Sequence, residues 1–566
     1  MTNFNHFTNN IKQNFINYDN MGIPSYFSFI VKNHASIIKR LNDHPKNISH
    51  LYLDCNSVIY EAAHNINFKN WTEKEGSKTS ILIHWVILKI EEYIKLIKPS
   101  NTIFIAFDGV APVAKMSQQR GRRYKSWHQS IISKNIFKEA STIQDIWNTT
   151  AITPGTEFMN ELNQSIQMYF SQTQILEKNK VSTIIVSGSD QIGEGEHKIF
   201  QYIRENKEQH QGSRTIIYGL DADLIMLSMT HLPIHPEIYL FRETPHFIQT
   251  LDNSLEPSQT YMLDIPELAR VITLDMCNIK QSQQSLEKQV TIVNRIYDYI
   301  LICFMLGNDF LPHFPAINIR TGGIHKLLNA YKATIGNTNS VLTDGTKICW
   351  GSFRKFIGFL AKQEEEFLKT EAKQRDRQEK NFLPTDTPEN TYKKFELIPT
   401  YERDTEKFIN PYRLYWQSRY YKSLFKINID DERRTQISVN YLEGLEWTLK
   451  YYTTDCPDWR WCYKYEYPPL LEDLHKCVPS FDTELMLQKE RLAVTPNVQL
   501  SYVLPKSALQ LIPGEMGQTI RDQYLHLYPD NCDFVWAYCK YFWESHVELP
   551  EINIDELIEI DKKCTK

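Results

Sequence analysis

The chain reads as α/β, with a parallel sheet flanked by helices in its first part and a helix-rich, aromatic-rich second part. Two observations carry this reading. Between Leu51 and about Ser228, short β-rich runs alternate with helix-length segments of apolar periodicity, the pattern of strands joined by crossover helices. From about Tyr392 to the end the chain is dense in rings: Trp416, Tyr420, Tyr421, Trp447, Tyr451, Tyr452, Trp459, Trp461, Tyr463, Tyr465 and Tyr467.

Strands are expected at Leu51–Asp54, Ile103–Phe107, Thr183–Val186 and Thr215–Tyr218, each with an acid within a few residues of its end. In an open α/β sheet the ligand site lies beyond the carboxyl ends of the strands, so acids scattered in sequence are expected to converge there. A helix is expected over Val293–Leu306, leading into the turn-like Gly307-Asn308-Asp309-Phe310-Leu311-Pro312. Ala361–Lys380 contains Glu364-Glu365-Glu366 followed by alternating charges, and reads as a solvated helix or linker between two parts.

At 566 residues the chain is too long for one compact core, so two or more domains are expected. The balance of 63 Lys plus Arg against 68 Asp plus Glu excludes the globally basic footprint of a non-specific nucleic-acid coat, so any polyanion must be held locally. Aromatics at 12% suit base stacking, although most rings must be core. The 10 Cys form no CxxC pair, which argues against zinc and for reduced thiols. The first twenty residues are polar and Asn-rich, and the apolar stretches Ile81–Leu88 and Tyr299–Gly307 are too short or interrupted to span a bilayer. A soluble intracellular protein without membrane contact is expected.

Seven carboxylates stand out: Asp54, Asp108, Glu194, Glu196, Asp221, Asp223 and Asp309. Asp221 and Asp223 are two apart after a strand, so on an extended backbone they would point to one face and share a cation. Glu194 and Glu196 alternate with Gly193 and Gly195, which would let the backbone approach a ligand before a helix begins. Acids packed this closely repel one another unless a divalent ion neutralises them. Hard oxygen ligands suit Mg²⁺ or Mn²⁺, and a pair of such ions serves in-line attack on a phosphodiester. Beside Asp108, the segment Lys115-Met-Ser-Gln-Gln119-Arg120-Gly-Arg122-Arg123-Tyr-Lys125 gathers cations with no acid among them, in a chain of formal net charge -5. A phosphate site next to a metal site is expected.

These residues resemble the Xrn family of 5′→3′ exoribonucleases (Xrn/Rat type). The likeness rests on Met21-Gly-Ile-Pro24-Ser-Tyr-Phe27, Leu51-Tyr-Leu-Asp54-Cys-Asn56, Asp108-Gly-Val-Ala-Pro112 with its basic continuation, Gly193-Glu-Gly-Glu-His-Lys198, Tyr218-Gly-Leu-Asp-Ala-Asp-Leu-Ile-Met226 and Gly307-Asn-Asp-Phe-Leu-Pro312. Trp447 with Tyr451-Tyr452, Cys456-Pro-Asp-Trp-Arg-Trp461 and Leu504-Pro505 resemble the family's second block. The resemblance covers nearly the whole chain from Met21.

It implies a PIN or flap-nuclease-like core with a parallel or mixed sheet. The division implied is a polar N-terminal extension over 1–20, a nuclease domain over 21–335, a charged helical linker over 336–391 and a second region over 392–566 that packs on the core. The seven carboxylates fall on the family's metal-binding acids, for two ions of Mg²⁺ or Mn²⁺. Lys115, Gln119, Arg122 and Arg123 fall on its 5′-monophosphate pocket, with Lys115 also polarising the phosphate being cut. Base stacking is expected from Tyr60, at a position where the family has His, and from Trp459 or Trp461. The implied activity is processive hydrolysis of single-stranded RNA bearing a 5′-monophosphate to nucleoside 5′-monophosphates, in RNA decay. A monomer in the cytoplasm is expected, with the nucleus as alternative and a decapping or pyrophosphohydrolase partner supplying the ends. The chain is expected to lack the extra C-terminal domains of the large cytoplasmic members. The alternatives weighed are a flap-type DNA nuclease and a catalytically silent RNA-binding scaffold.

Overall fold

The computed structural model describes residues 25–41, 47–66, 76–137, 147–242, 255–256, 259–277, 288–426, 428 and 430–565. The extension over 1–20 and the motif from Met21 to Pro24 lie outside them. The chain forms two compact units, each discontinuous in sequence: residues 1–110, 145–275 and 279–296 in the first, and 111–144, 276–278 and 297–566 in the second. The helices that bear on function are α1 (Asn56–Asn65), α2 (Val113–Phe137), α3 (Gly195–Glu205), α4 (Asp223–His231), α5 (Glu364–Glu379) and α6 (Asp431–Thr453), of which α2, α5 and α6 belong to the second unit.

The first unit is built on a mixed seven-stranded sheet of β1 (Ile38–Arg40), β2 (His50–Asp54), β3 (Thr102–Ala106), β4 (Thr183–Ser187), β5 (Thr215–Tyr218), β6 (Ile238–Arg242) and β7 (Tyr261–Asp264), in the order β1-β7-β6-β5-β2-β3-β4. β7 pairs antiparallel on both sides, and the other pairings are parallel. Every residue of β2 and β3 is buried, and a continuous apolar run is what a strand covered on both faces requires. The chain steps from β2 outward to β3 and β4, then returns to β5 on the other side of β2. That reversal opens a crevice at the carboxyl ends of β2 and β5. The expected strands lie within one residue of those observed, and the expected helix Val293–Leu306 is the end of helix Lys288–Cys303 followed by the 3₁₀ turn Phe304–Leu306.

In the second unit, the charged stretch expected to be a solvated helix or linker is a helix, and it has one buried face. Glu364, Leu368, Glu371 and Arg375 of α5 are buried at a helical spacing. Arg375 gives Glu406 two hydrogen bonds of 2.8 Å and also donates to the carbonyls of Pro399 and Cys539. Arg403 adds a further bond to Glu406, whose other oxygen accepts the Tyr538 N–H. Arg375 of this stretch thus belongs to a buried ionic network with Arg403 and Glu406. The aromatic block is also core: Trp416, Tyr420, Tyr421, Trp447, Tyr451 and Tyr452 are all buried.

Removing one partner leaves a buried charge uncompensated, so Glu406→Ala should lower the unfolding free energy by roughly 3–5 kcal/mol, measured by urea unfolding followed at the second unit's tryptophans. Glu364 supplies a pH test. Its oxygens accept the N–H groups of Leu471 and Glu472, yet burial pushes its pKa up from 4.5 to about 8. A carboxyl raised on folding holds its proton more tightly in the folded state, so its stabilising contribution is whole below 4.5 and is lost as pH climbs to about 8. The Glu364→Gln variant should lose less stability than the parent across that window.

Candidate active site

Six of the seven acids belong to the first unit, at the carboxyl end of its sheet. Asp54 is the last residue of β2. Asp108 follows β3 and is held from both sides. The Asn56 side chain donates to Asp108 Oδ2 at 2.6 Å and accepts the Asp108 N–H at 3.0 Å, while the Gly195 N–H at the start of α3 donates to Asp108 Oδ1 at 2.7 Å. Gly193, at φ 105, allows the loop before α3 to exchange backbone hydrogen bonds with Gly109 and Val110, both of 2.8 Å. Lys198, buried on α3, donates to the carbonyls of Phe107 and Gly188 and ties that helix to the end of β3. Asn56 and Lys198 lie inside the recognised motifs without an assigned role. Their signal in sequence is only their place beside Asp54 and Glu196.

Glu194 precedes α3 and Glu196 sits in its first turn, where the helix dipole favours negative charge. Asp221 and Asp223 do not lie on an extended strand as expected. Ala222 is helical (φ -66, ψ -24) and Asp223 opens α4, so the two residues are not related as the same-face i and i+2 positions of a strand. The three acids that converge are Asp54, Glu196 and Asp221, each with an oxygen within 4.8 Å of the others.

Burial, followed by the carboxylates of Asp108 and Asp221, holds Asp54 well above the usual carboxylate range. Asp54 is 7% exposed, and its Oδ1 is buried without a hydrogen-bond partner. Protein groups also leave it no steric slack: a Cβ at Gly195 would stand 2.7 Å from that oxygen. An acceptor-only, mutually repelling and largely dehydrated set of oxygens fits a hard divalent cation.

The seventh acid, Asp309, belongs to the second unit. Gly307, at φ 88, starts its turn, and Asn308 Oδ1 accepts the N–H groups of Phe310 and Leu311 at 2.9 Å. Lys115 of α2 pairs with Asp309 Oδ2 at 2.7 Å, and Gln118 donates to Oδ1 at 3.3 Å. Lys115, Gln119 and Arg122 share one face of α2 with Arg123 at its margin, all partly exposed. Arg120 and Lys125 do not join them. Arg120 is buried with its guanidinium 5.6 Å from the Tyr502 ring centre, and Lys125 is turned inward onto the carbonyls of Trp543 and Ser545, both at 2.9 Å. The cationic run therefore divides into a displayed set and a structural pair.

Of the expected stacking residues, Tyr60 is half-buried on α1 in the first unit. Trp459 and Trp461 are buried in the second. Trp461 stacks on Trp447 with centroids 5.4 Å apart and fits against Gly444, where a Cβ would stand 2.8 Å from its ring. Trp459 faces the Arg491 guanidinium at 4.9 Å, and its carbonyl accepts the Val113 N–H that begins α2.

If the acids repel as described, Asp54→Asn should raise the melting temperature in EDTA and abolish the further rise that Mg²⁺ or Mn²⁺ gives the parent. Asn56→Ala, which frees Asp108, should weaken Mn²⁺ binding by about 10- to 100-fold with no change in fold, as read by calorimetry.

Residues 21–244 match the family model described as XRN 5′-3′ exonuclease N-terminus, and residues 289–407 and 401–566 match that of the Xrn1 helical domain. The 5′-3′ exoribonuclease 1 of Saccharomyces cerevisiae is 28% identical over 95% of this chain and 43% of its own length. The human 5′-3′ exoribonuclease 1 is 26% identical over 96% of this chain and 34% of its own. For the 5′-3′ exoribonuclease 2 of Gallus gallus the figures are 24%, 94% and 69%. The chain spans less than half the length of the first two. With both of its characteristic domains matched in order along nearly all of the sequence, the chain belongs to the Xrn family.

Proposed function

We propose that the chain is a metal-dependent 5′→3′ exoribonuclease acting on single-stranded RNA that carries a 5′-monophosphate. The observation that carries this reading is the oxygen cluster of buried Asp54 and Glu196 with half-buried Asp221 at the carboxyl end of the sheet, in a chain of this family. Asp108, Glu194 and Asp223 complete the set in the first unit, and a metal-binding role is proposed for Asp309. Two ions of Mg²⁺ or Mn²⁺, when bound, would favour hydroxide formation from water and stabilise the departing oxygen.

The rest falls to the protein's own groups. Asn56 and the Gly195 N–H orient Asp108, and the start of α3 lends its dipole to Glu194 and Glu196. Lys115, Gln119, Arg122 and Arg123 would hold the terminal phosphate by charge-assisted hydrogen bonds, which a compact face of α2 offers to a monophosphate better than to a capped end. Water adds across the P–O3′ bond. The released nucleotide keeps its 5′-phosphate and leaves with a 3′-hydroxyl, and the shortened RNA again begins with a 5′-monophosphate. The product is thus the next substrate, which suits processive action. Stacking by Tyr60 and by Trp459 or Trp461 belongs to the same proposal, although the burial of both Trp rings favours a structural share in it. The 5′-monophosphate ends would come from a decapping or pyrophosphohydrolase partner, and the cytoplasm is the compartment proposed. Among the described residues no helix is long and apolar enough to cross a membrane.

The test is a Mg²⁺ time course on one 3′-labelled RNA prepared with a 5′-monophosphate, 5′-triphosphate, 5′-hydroxyl or cap. Loss of the monophosphate form alone, without intermediate lengths, is expected. Arg122→Ala with Arg123→Ala should cut kcat/KM on that form by about 10- to 100-fold and leave any slow cutting of 5′-hydroxyl RNA unchanged. Equal cutting of all four ends by the parent would refute the pocket.

A further inference from the structure

Residues 407–426 of the second unit contain Lys407, Arg413, Arg419, Lys422 and Lys426 and no acid. Lys407 is paired with Glu379 and Lys426 with Glu548, which leaves the charges of Arg413, Arg419 and Lys422 uncancelled by any ion pair among the described residues. Within this stretch Tyr412, Leu414 and Tyr415 are 60%, 83% and 77% exposed. Arg413 between them is exposed as well. Four consecutive side chains therefore stand in water, three of them large and apolar, in a unit whose other rings are mostly buried.

Their display is built rather than accidental. The guanidinium of Arg419 donates to the carbonyls of Phe408, Ile409, Asn410, Arg413 and Leu414 at 2.7 to 3.3 Å. One half-buried guanidinium thus gathers the backbone of the whole loop. Asn410 and Tyr415 are held at φ 41 and φ 62, a backbone region that side chains other than glycine adopt at a cost. The Tyr412 hydroxyl is anchored on the Lys369 carbonyl at 2.9 Å. An aromatic loop that is strained, rigidly braced and solvent-facing costs stability without filling any core.

We propose that this loop is a binding surface for single-stranded RNA, additional to the catalytic site and resting on the exoribonuclease reading above. Two flat rings flanking an arginine offer stacking to any base, because every base has a π-face, and the uncancelled cations match a phosphate backbone. The pre-set loop lowers the ordering cost of binding. Two separate exposed rings around a cation, rather than one continuous groove, fit the bases and phosphates of RNA better than an apolar protein segment.

The test uses the full chain in EDTA with a fluorescent, unstructured 30-nucleotide RNA bearing a 5′-monophosphate, titrated by anisotropy. The combined variant Tyr412→Ala, Arg413→Ala, Tyr415→Ala should weaken binding by at least about tenfold. Arg413→Ala alone should reduce the slope of log Kd against log salt by about 0.7. Mg²⁺-dependent turnover of a tetranucleotide with a 5′-monophosphate should stay at the parent's rate, and an unchanged melting curve shows that the fold is intact. Unchanged affinity and slope in the variants, with the parent still binding RNA, would overturn the proposal and leave the loop to a protein partner. Absence of RNA binding by the parent would overturn the proposal alone, because the exoribonuclease reading is judged by the four-ended RNA assay in Mg²⁺.

Discussion

The repulsion among carboxylates at the carboxyl ends of β2, β3 and β5 is the constraint on which the first unit depends. Asp54 is dehydrated, surrounded by Asp108, Asp221 and Glu194, and driven toward its protonated form. A protein without a use for that cluster would be more stable with an amide or an apolar side chain in it. The surrounding structure is arranged so that the repulsion is tolerated and not relieved. Asn56 and the start of α3 satisfy both oxygens of Asp108, Lys198 ties α3 to two carbonyls, and the absence of a Cβ at Gly195 lets a helix terminus approach within contact of Asp54. A divalent cation among these oxygens would supply the opposite charge, so on the proposed reading cation binding would add to folding stability.

How far the sequence revealed this follows the range of the interactions involved. The strands were legible because full burial on both faces demands unbroken apolar runs, and β2 and β3 have them. The convergence of acids followed from strand ends alone. The geometry of Asp221 and Asp223 was not legible, because the chain leaves β5 through Gly219, whose missing Cβ makes room for Leu224 at 2.0 Å, and turns helical at Ala222. That is a packing fit with no periodic signature. The burial of α5 was equally hidden: Arg375 finds Glu406 and the carbonyl of Cys539 far along the chain, so its charges read as solvated until the tertiary partners are known. Trp459 and Trp461 have the residue types of stacking platforms, yet their neighbours Trp447, Gly444 and Arg491 make them part of a packed core.

Helix α2 shows the same limit on a smaller scale and indicates how one segment can serve two ends. Its apolar face is Val113, Met116, Arg120 and Tyr124, and the presence of an arginine in that series is what made the run look uniformly cationic. Arg120 lies over Tyr502, and Lys125 is held by backbone carbonyls of Trp543 and Ser545, where burial lowers its pKa. Both are fasteners, and they fix the rotation of the helix about its axis. With that rotation set, Lys115, Gln119 and Arg122 must come to one side together, because positions separated by four and three residues share a helical face. Lys115 then meets Asp309 at 2.7 Å. The pair is largely shielded, its side chains 12% and 7% exposed, and it holds Lys115 extended toward Asp309; on the proposed reading a terminal phosphate would compete for the same ammonium. The inward cations orient the helix, and on the proposed reading the acid partner would hold the lysine ready for an anion.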